Sequence, residues 1–317
     1  MYFPLLRGKQ FELVALKEFA ETNPGNPWIC PIIEPVRVLP DALIRTAGFL
    51  SGNSIRYAVV LNPENGDYAV DTNRFEIPAF LQKFEGLNIA PIPAFFADGK
   101  SAEVKSAIEE LDLQSVMVIY ENVLDIENEA DGALCNHPAV SYIVSAGTDS
   151  RGTLRFLMRT GKHVVCLDDN FIVRKPNSAY RVTDEDPFTE EPFYYKDANF
   201  YGFSDYCVLP KAFVEGGITP TAVAIHMTYR KREDAIWVRH FVSSVELDKD
   251  NDIHKKYESA MDKVCDFYKD TPLTAAAQLL INKRNKYPGL GVLKKFTMLN
   301  HMQLISSTLS TLSNDEI

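Results

Sequence analysis

FPLLRGKQFELVALKEFAETNPGNPWICPIIE, residues 3–34, decides the fold. It contains two short apolar runs, FPLLR (3–7) and WICPIIE (28–34), rich in the residue types that favour strands. Between them, FELVALKEFAE (11–21) places Leu13, Leu16, Phe19 and Ala20 on one helical stripe. The order is strand, helix, strand. Several of the runs that follow are apolar on both faces, the pattern of a parallel sheet covered by helices.

The unit recurs along the chain. Further strands are predicted at IRYAVVLN (55–62), IAPIPAFF (89–96), VMVIYE (116–121), VSYIV (140–144), HVVCLD (163–168) and DYCVL (205–209). Helices are predicted at RFEIPAFLQKF (74–84), SAEVKSAIEEL (101–111) and SRGTLRFLMRTG (150–161), the last stopping at Gly161. Eight strands alternating with helices predict an α/β fold, a (β/α)8 TIM-barrel-like architecture. The competing open, doubly wound sheet lacks a G-x-G-x-x-G turn after its first strand.

After the eighth strand the pattern changes. GGITP (216–220) marks a turn, and TAVAIHMTYRK (221–231) and AIWVRHFVSS (235–244) read as an appended β-hairpin. From Asp252 the chain turns helical, YPG (287–289) interrupts it, and residues 292–309 form a last helix. The expected organisation is a barrel-like domain over 1–245, with its hairpin at 221–244, and a C-terminal helical segment over 246–317 that packs on the barrel. SNDEI is a polar, frayed tail.

Composition narrows the class. Of 317 residues, 46% are hydrophobic and 24% charged, ordinary values for a globular chain. No apolar run is long enough to span a membrane, and MYFPLLRGKQ has no signal-peptide pattern. The five cysteines, Cys30, Cys135, Cys166, Cys207 and Cys265, show no C-x-x-C spacing, which argues against a zinc knuckle and for a reducing, cytoplasmic setting. A net charge of −10 argues against a protein that coats nucleic acid with its whole surface, though a local basic patch is compatible with it.

In a barrel, chemistry sits at the C-terminal ends of the strands, and alternation along a strand identifies the last inward side chain. Phe3 and Leu5 lead to Arg7 and Lys9, Cys30 and Ile32 to Glu34, and Ala58 and Val60 to Asn62. Met117 and Ile119 lead to Glu121, and Val164 and Cys166 to Asp168. Convergent carboxylates suit Mg²⁺ or Mn²⁺, or general acid and base work, and Lys9 or Arg7 suits a phosphate or carboxylate ligand. No strand-end His and no fixed metal spacing accompany them, so no metal ligand set is assigned. The bland alternative is that strand ends are simply where chains turn polar. Asp169, next to Asp168, faces away from the mouth on this parity and serves as a cap.

Asp205, in YGFSDY (201–206), opens the predicted eighth strand and so falls at the bottom of the barrel, unless the segment instead continues a loop over the rim. His226 is a candidate binding residue that faces His240 across the hairpin, and a buried, hydrogen-bonded histidine is the commoner role there. Arg151, Arg155 and Arg159 share one helical face, and residues 281–295 carry five cations and no acid. Both read best as solvated faces, without the aromatic platform of a nucleic-acid site. No P-loop, G-x-S-x-G elbow, H-E-x-x-H or EF-hand loop is present.

PLLRGKQFELVAL followed by WICPIIEPV resembles the opening of the bacterial and phage Beta-protein-like family, with Lys9, Gln10, Glu12 and Glu34 at the matching positions. GFSDYCVLP, with Asp205 and Tyr206, resembles that family's Gly-Asp-Tyr-type strand, and the paired strands AVAIHMTYRK and IWVRHFVS follow in the expected order. The likeness is patchy over residues 2–245, and Arg-Gly-Lys-Gln replaces the usual Lys-x-Lys-Gln, pointing to a subgroup with that form. The resemblance implies a companion to a nuclease-like protein in bacterial gene pairs, some of them defensive, with no settled reaction. Two functions follow as expectations. One is a barrel component of a conflict system that binds a ligand or partner at the rim through Arg7, Lys9, Glu34, Glu121, Asp168 and Asp205. The other is a metal-dependent phosphodiesterase with Glu34, Glu121 and Asp168 as ligands and Lys9 on the phosphate.

Overall fold

A computed structural model of the chain describes residues 1–70, 75–215 and 221–315. The 216–220 turn, Arg74 at the head of the 74–84 helix, and the last two residues of the tail lie outside the described residues.

Strand and helix alternate as the opening stretch requires. The order is β1 (Leu5–Leu6), α1 (Gln10–Thr22), β2 (Ile32–Ile33), α2 (Asp41–Gly52), β3 (Ala58–Val60), α3 (Ile77–Gln82), β4 (Ile92–Phe96) and α4 (Ser101–Glu110). It continues with β5 (Val116–Val123), α5 (Glu129–Cys135), β6 (Val140–Ala146), α6 (Arg151–Arg159) and β7 (His163–Leu167). After an excursion through β8 (Glu185–Thr189) and α7 (Glu191–Tyr194), β9 (Gly202–Ser204) returns to the sheet. The eight strands β1 to β7 and β9 pair in parallel, in chain order. The two ends of this sheet meet: Tyr2 bridges Phe203, Phe3 N donates to Phe203 O at 2.8 Å, and Leu5 N donates to Asp205 O at 2.9 Å. The fold is an α/β, TIM-barrel-like (β/α)8 architecture.

Alternation sorts the strand residues into two cores. Phe3, Leu5, Cys30, Ile32, Ala58, Val60, Ala94, Phe96, Met117, Ile119, Val144, Val165, Leu167 and Tyr206 pack together inside the barrel. Their neighbours, such as Leu6, Ile33, Val59, Val118 and Phe203, pack outward with Leu13, Leu16 and Phe19 of α1 and with other helices. Each large side chain so buried contributes about 1.5–3 kcal/mol.

The appended hairpin is β10 (Ala224–Arg232) and β11 (Ala235–Val242), and β8 joins it as a third antiparallel strand that the sequence reading did not anticipate. Its other face packs on α8 (Ile253–Phe267), α9 (Ala275–Ile281) and the long α10 (Leu290–Asp315). Met298, Leu299, Met302, Ile305 and Leu309 of α10 belong to the same core as the outer barrel wall. Asp252 and Thr274 cap α8 and α9 through their side chains.

Three expectations are corrected. The eighth strand is Gly202–Ser204, not 205–209, because Cys207 and Val208 have φ of 52° and 63° and turn the chain. Asp205 therefore stands at the C-terminal end of its strand. On β7 the inward residues are Val165 and Leu167, so Asp169 and not Asp168 points at the barrel mouth. α2 and α5 occupy connections for which the sequence predicts no element.

Candidate functional site at the barrel mouth

Arg7 is the centre of the mouth. It leaves the end of β1 and is only 7% exposed. Its Nη1 donates to Glu34 Oε2 at 3.0 Å, and its Nη2 donates to Glu121 Oε1 at 2.8 Å and to the Lys211 carbonyl at 3.1 Å. The guanidinium lies 5.7 Å from the centre of the Phe96 ring and 5.5 Å from that of Tyr206. Burial opposes its charge, but Glu121 and Glu34 outweigh this and raise its pKa. Its Nε is buried without a partner.

Glu34 is fully buried and fully engaged. Its Oε1 accepts from Glu64 N at 2.8 Å, Asn65 N at 2.9 Å and Asn65 Nδ2 at 3.0 Å. One turn thus wraps one carboxylate. Gly8 lets the chain after β1 pass close to the Glu34 backbone: its φ is 61°, and a Cβ there would lie 2.5 Å from Glu34 O.

Glu121 is held from three sides. Its backbone N donates to Asp98 Oδ2 at 2.8 Å, Tyr206 Oη donates to its Oε1 at 2.7 Å, and Lys211 Nζ donates to its carbonyl at 2.5 Å. Burial and Glu121 push the Tyr206 hydroxyl far up, so it stays a donor. Asn62 does not project a free amide: it exchanges two bonds with the Phe96 backbone at 2.8 and 2.9 Å and ties β3 to β4.

The segment after β9 closes over this group. Lys211 contacts both Arg7 and Glu121, Lys9 Nζ donates to Val214 O at 3.0 Å and lies over the Phe213 ring, and Arg37 pairs with Glu215. Burial lowers the pKa of Lys9; Glu12 opposes this, while Lys294 and Arg7 add to it. Asp169 joins the mouth: burial raises its pKa, Lys211 opposes this, and Glu121 adds to it.

The remaining candidates lie elsewhere. Asp168 points out through the wall toward Cys166 and Glu191, and their donor atoms all lie within 4.8 Å of one another. Burial, then Glu191, Asp205 and Asp149, raise its pKa to about 7. Of the described residues, these three alone gather enough thiol, imidazole or carboxylate donors for a cation, one fewer than a closed tetrahedral zinc site uses. Asp205, 1% exposed, also faces outward. It accepts from Tyr2 Oη at 2.5 Å and from Cys207 N at 2.7 Å, and its Oδ2 lies 3.5 Å from His301 Nε2 on α10. The Cys207 bond is an Asx-type turn that stabilises the left-handed residues after it. Asp205 is a clamp between barrel and C-terminal helix.

His226 sits in the hairpin sheet, opposite His240 as the register requires. Its Nδ1 is 2.8 Å from His240 Nδ1, and His240 Nε2 is 2.9 Å from Asp186 Oδ2, which also pairs with Arg174. If Asp186 takes the His240 Nε2 proton bond, His240 Nδ1 is an acceptor and His226 Nδ1 donates to it. Burial first, then His240 and Lys294, lower the His226 pKa to about 3.

Sequence parity therefore brings Arg7, Glu34 and Glu121 together. It missed Tyr206, Lys211, Asp98 and Asp169. Asp98 was within reach of the same alternation, two residues beyond Phe96, and Asp169 of the opposite phase on β7. Two cavities lie away from the mouth, one of about 490 Å³ lined by Arg181, Arg239, Phe241, Lys263 and Phe267, the other of about 330 Å³ between α1, α9 and α10. Among the described residues, no helix is long and apolar enough to cross a membrane. No family model matches the chain, and no curated protein matches it.

Proposed function

We propose that the protein is a barrel-fold component of a bacterial or phage conflict system, and that it engages a protein partner through the strand-end face of its barrel. One observation carries this reading. Six of the thirteen exposed large apolar side chains among the described residues, Val38, Leu39, Val70, Val123, Ile126 and Val214, stand at the ends of β2, β3, β5 and β9 or on the loops that leave those strands, and Ile172 and Val173 stand on the connection after β7. They stand around a mouth in which Arg7, Glu34 and Glu121 are already paired with one another. Exposed apolar groups on one functional face point to protein contact. The resemblance to the Beta-protein-like family supports the biological setting and a nuclease-like partner.

The phosphodiesterase alternative draws less support. It asks Glu34, Glu121 and Asp168 to share an ion. Glu34 is occupied by Arg7 and three N–H donors, and Asp168 lies on the other side of the wall.

The test is capture at native expression level in the cell of origin. A tagged wild-type chain is compared with Leu39→Ser/Ile126→Ser and with a control outside the strand-end loops, Leu279→Ser on α9. A stoichiometric partner retained by wild type and control and lost by the double variant is expected. Equal retention by all three would sink the reading.

A further inference from the structure

We propose that the cavity of about 490 Å³ between β11 and α8 binds a small organic anion, a carboxylate or phosphate carried on a flat aromatic body. A volume of this order is that of a small-molecule site. Strand and helix periods build its walls. Arg239 and Phe241 are two residues apart on β11 and share one face of the strand. Lys263, Asp266 and Phe267 are three and four residues apart on α8 and share one face of the helix. The two faces meet at Phe267, whose ring centre lies 5.3 Å from that of Phe241 and 5.8 Å from the Arg239 guanidinium. Arg181 closes the lining from the 3-10 turn Asn177–Arg181.

The charges of the wall decide what fits. Arg181 is engaged: it holds Asp248 through Nη1 at 2.7 Å and Nη2 at 2.6 Å, and its Nε donates to Ser243 O at 2.8 Å. Arg239 Nη1 donates to Glu185 Oε2 at 3.0 Å and Nη2 to Asp184 Oδ2 at 2.6 Å, which fixes the guanidinium and leaves N–H groups for a ligand. Asp266 accepts from Lys269 at 2.7 Å. Lys263 is different. Its Nζ donates to Val242 O at 2.7 Å, a neutral acceptor, and among the described residues it is the one charged side chain of the wall with no partner of opposite sign. An anion therefore neutralises Lys263 without breaking any of these pairs. A cation would be repelled by Lys263 and would compete with Arg239 and Lys269 for the two carboxylates. The Phe241 and Phe267 rings on the same two walls suit a flat apolar body.

The test uses the full chain, ligand-observed NMR titration and defined probes: benzoate, phenyl phosphate, inorganic phosphate and benzylamine. Lys263→Met removes the charge and keeps an apolar stem, and Lys263→Arg keeps the charge. Lys255→Met removes a charge elsewhere on α8, where Lys255 pairs with Asp250. Circular dichroism verifies each fold. At least one aromatic anion is expected to bind saturably, and the tighter of the two fixes the group as carboxylate or phosphate. Lys263→Met is expected to weaken it about tenfold, with Lys263→Arg and Lys255→Met within about twofold of wild type. Inorganic phosphate is expected to bind at least about tenfold more weakly than the aromatic anion, and benzylamine not to bind. No saturable binding of either aromatic anion overturns the proposal. So does an equal effect of Lys263→Met and Lys255→Met, inorganic phosphate binding as tightly as the aromatic anion, or equal binding of benzylamine. Each of these results leaves the partner reading untouched, since the cavity is no part of the strand-end face.

Discussion

Arg7 and Glu34, one at the end of each of two neighbouring strands, form a buried ion pair at 3.0 Å in which the carboxylate has no exposure at all. Removing one partner strands the other charge away from water, at about 3–5 kcal/mol. Arg7→Ala is expected to lose stability on that scale in urea unfolding. Arg7→Met/Glu34→Gln is expected to lose clearly less than the sum of its single changes, since neither member of this pair is then left charged and alone, while Glu121 loses Arg7 in the single and the double variant alike. Additive losses would show that the pair is not a unit.

Gly8 shapes the same corner. Gly8→Ala places a Cβ against Glu34 O in a left-handed conformation, and is expected to cost more than about 1 kcal/mol by the same unfolding measurement. A neutral effect would mean the loop relaxes freely.

Two groups tilt the pH dependence of stability in opposite directions. Asp168, with its pKa raised to about 7, binds a proton in the folded state that the unfolded chain releases from about pH 4 upward. It makes stability fall as pH rises through that window. His226, lowered to about 3, stays neutral in the folded state while the unfolded chain protonates below about pH 6.5. It makes stability fall as pH drops. Relative to wild type, Asp168→Asn is expected to gain stability at pH 8, by at least about 1.4 kcal/mol, the worth of one pKa unit. His226→Gln is expected to flatten acid destabilisation between pH 6.5 and 4. Parallel stability–pH curves for all three proteins would contradict both assignments.

Asp205 separates scaffold from surface. Asp205→Ala leaves Tyr2 Oη and Cys207 N without their acceptor, and is expected to cost about 1–3 kcal/mol. Partner capture by the folded fraction is expected to be unchanged. Specific loss of capture at full folding would place Asp205 in the site.

How much of this was legible in sequence follows from the physics of a strand. Alternation requires no partner knowledge, so the inward path to Arg7, Glu34 and Glu121 could be read from runs such as Cys30–Ile32–Glu34. It failed on β7 because Val164, Val165, Cys166 and Leu167 are all apolar, leaving both phases equally plausible, and the wrong phase selected Asp168. It failed at YGFSDY because two non-glycine residues adopt left-handed conformations, which only the Asp205 side-chain bond makes intelligible. Tyr206 and Lys211 come to Glu121 by closure of the barrel, a contact between residues 85 and 90 positions apart that no local pattern announces.

Amide hydrogen exchange of the wild-type chain, alone and with its captured partner, tests the central claim most directly. Protection is expected at the strand-end loops, over residues 37–39, 123–129 and 209–215, with the C-terminal helices unchanged. Protection confined to α8, α9 and α10, with those loops exchanging as in the free chain, would contradict it.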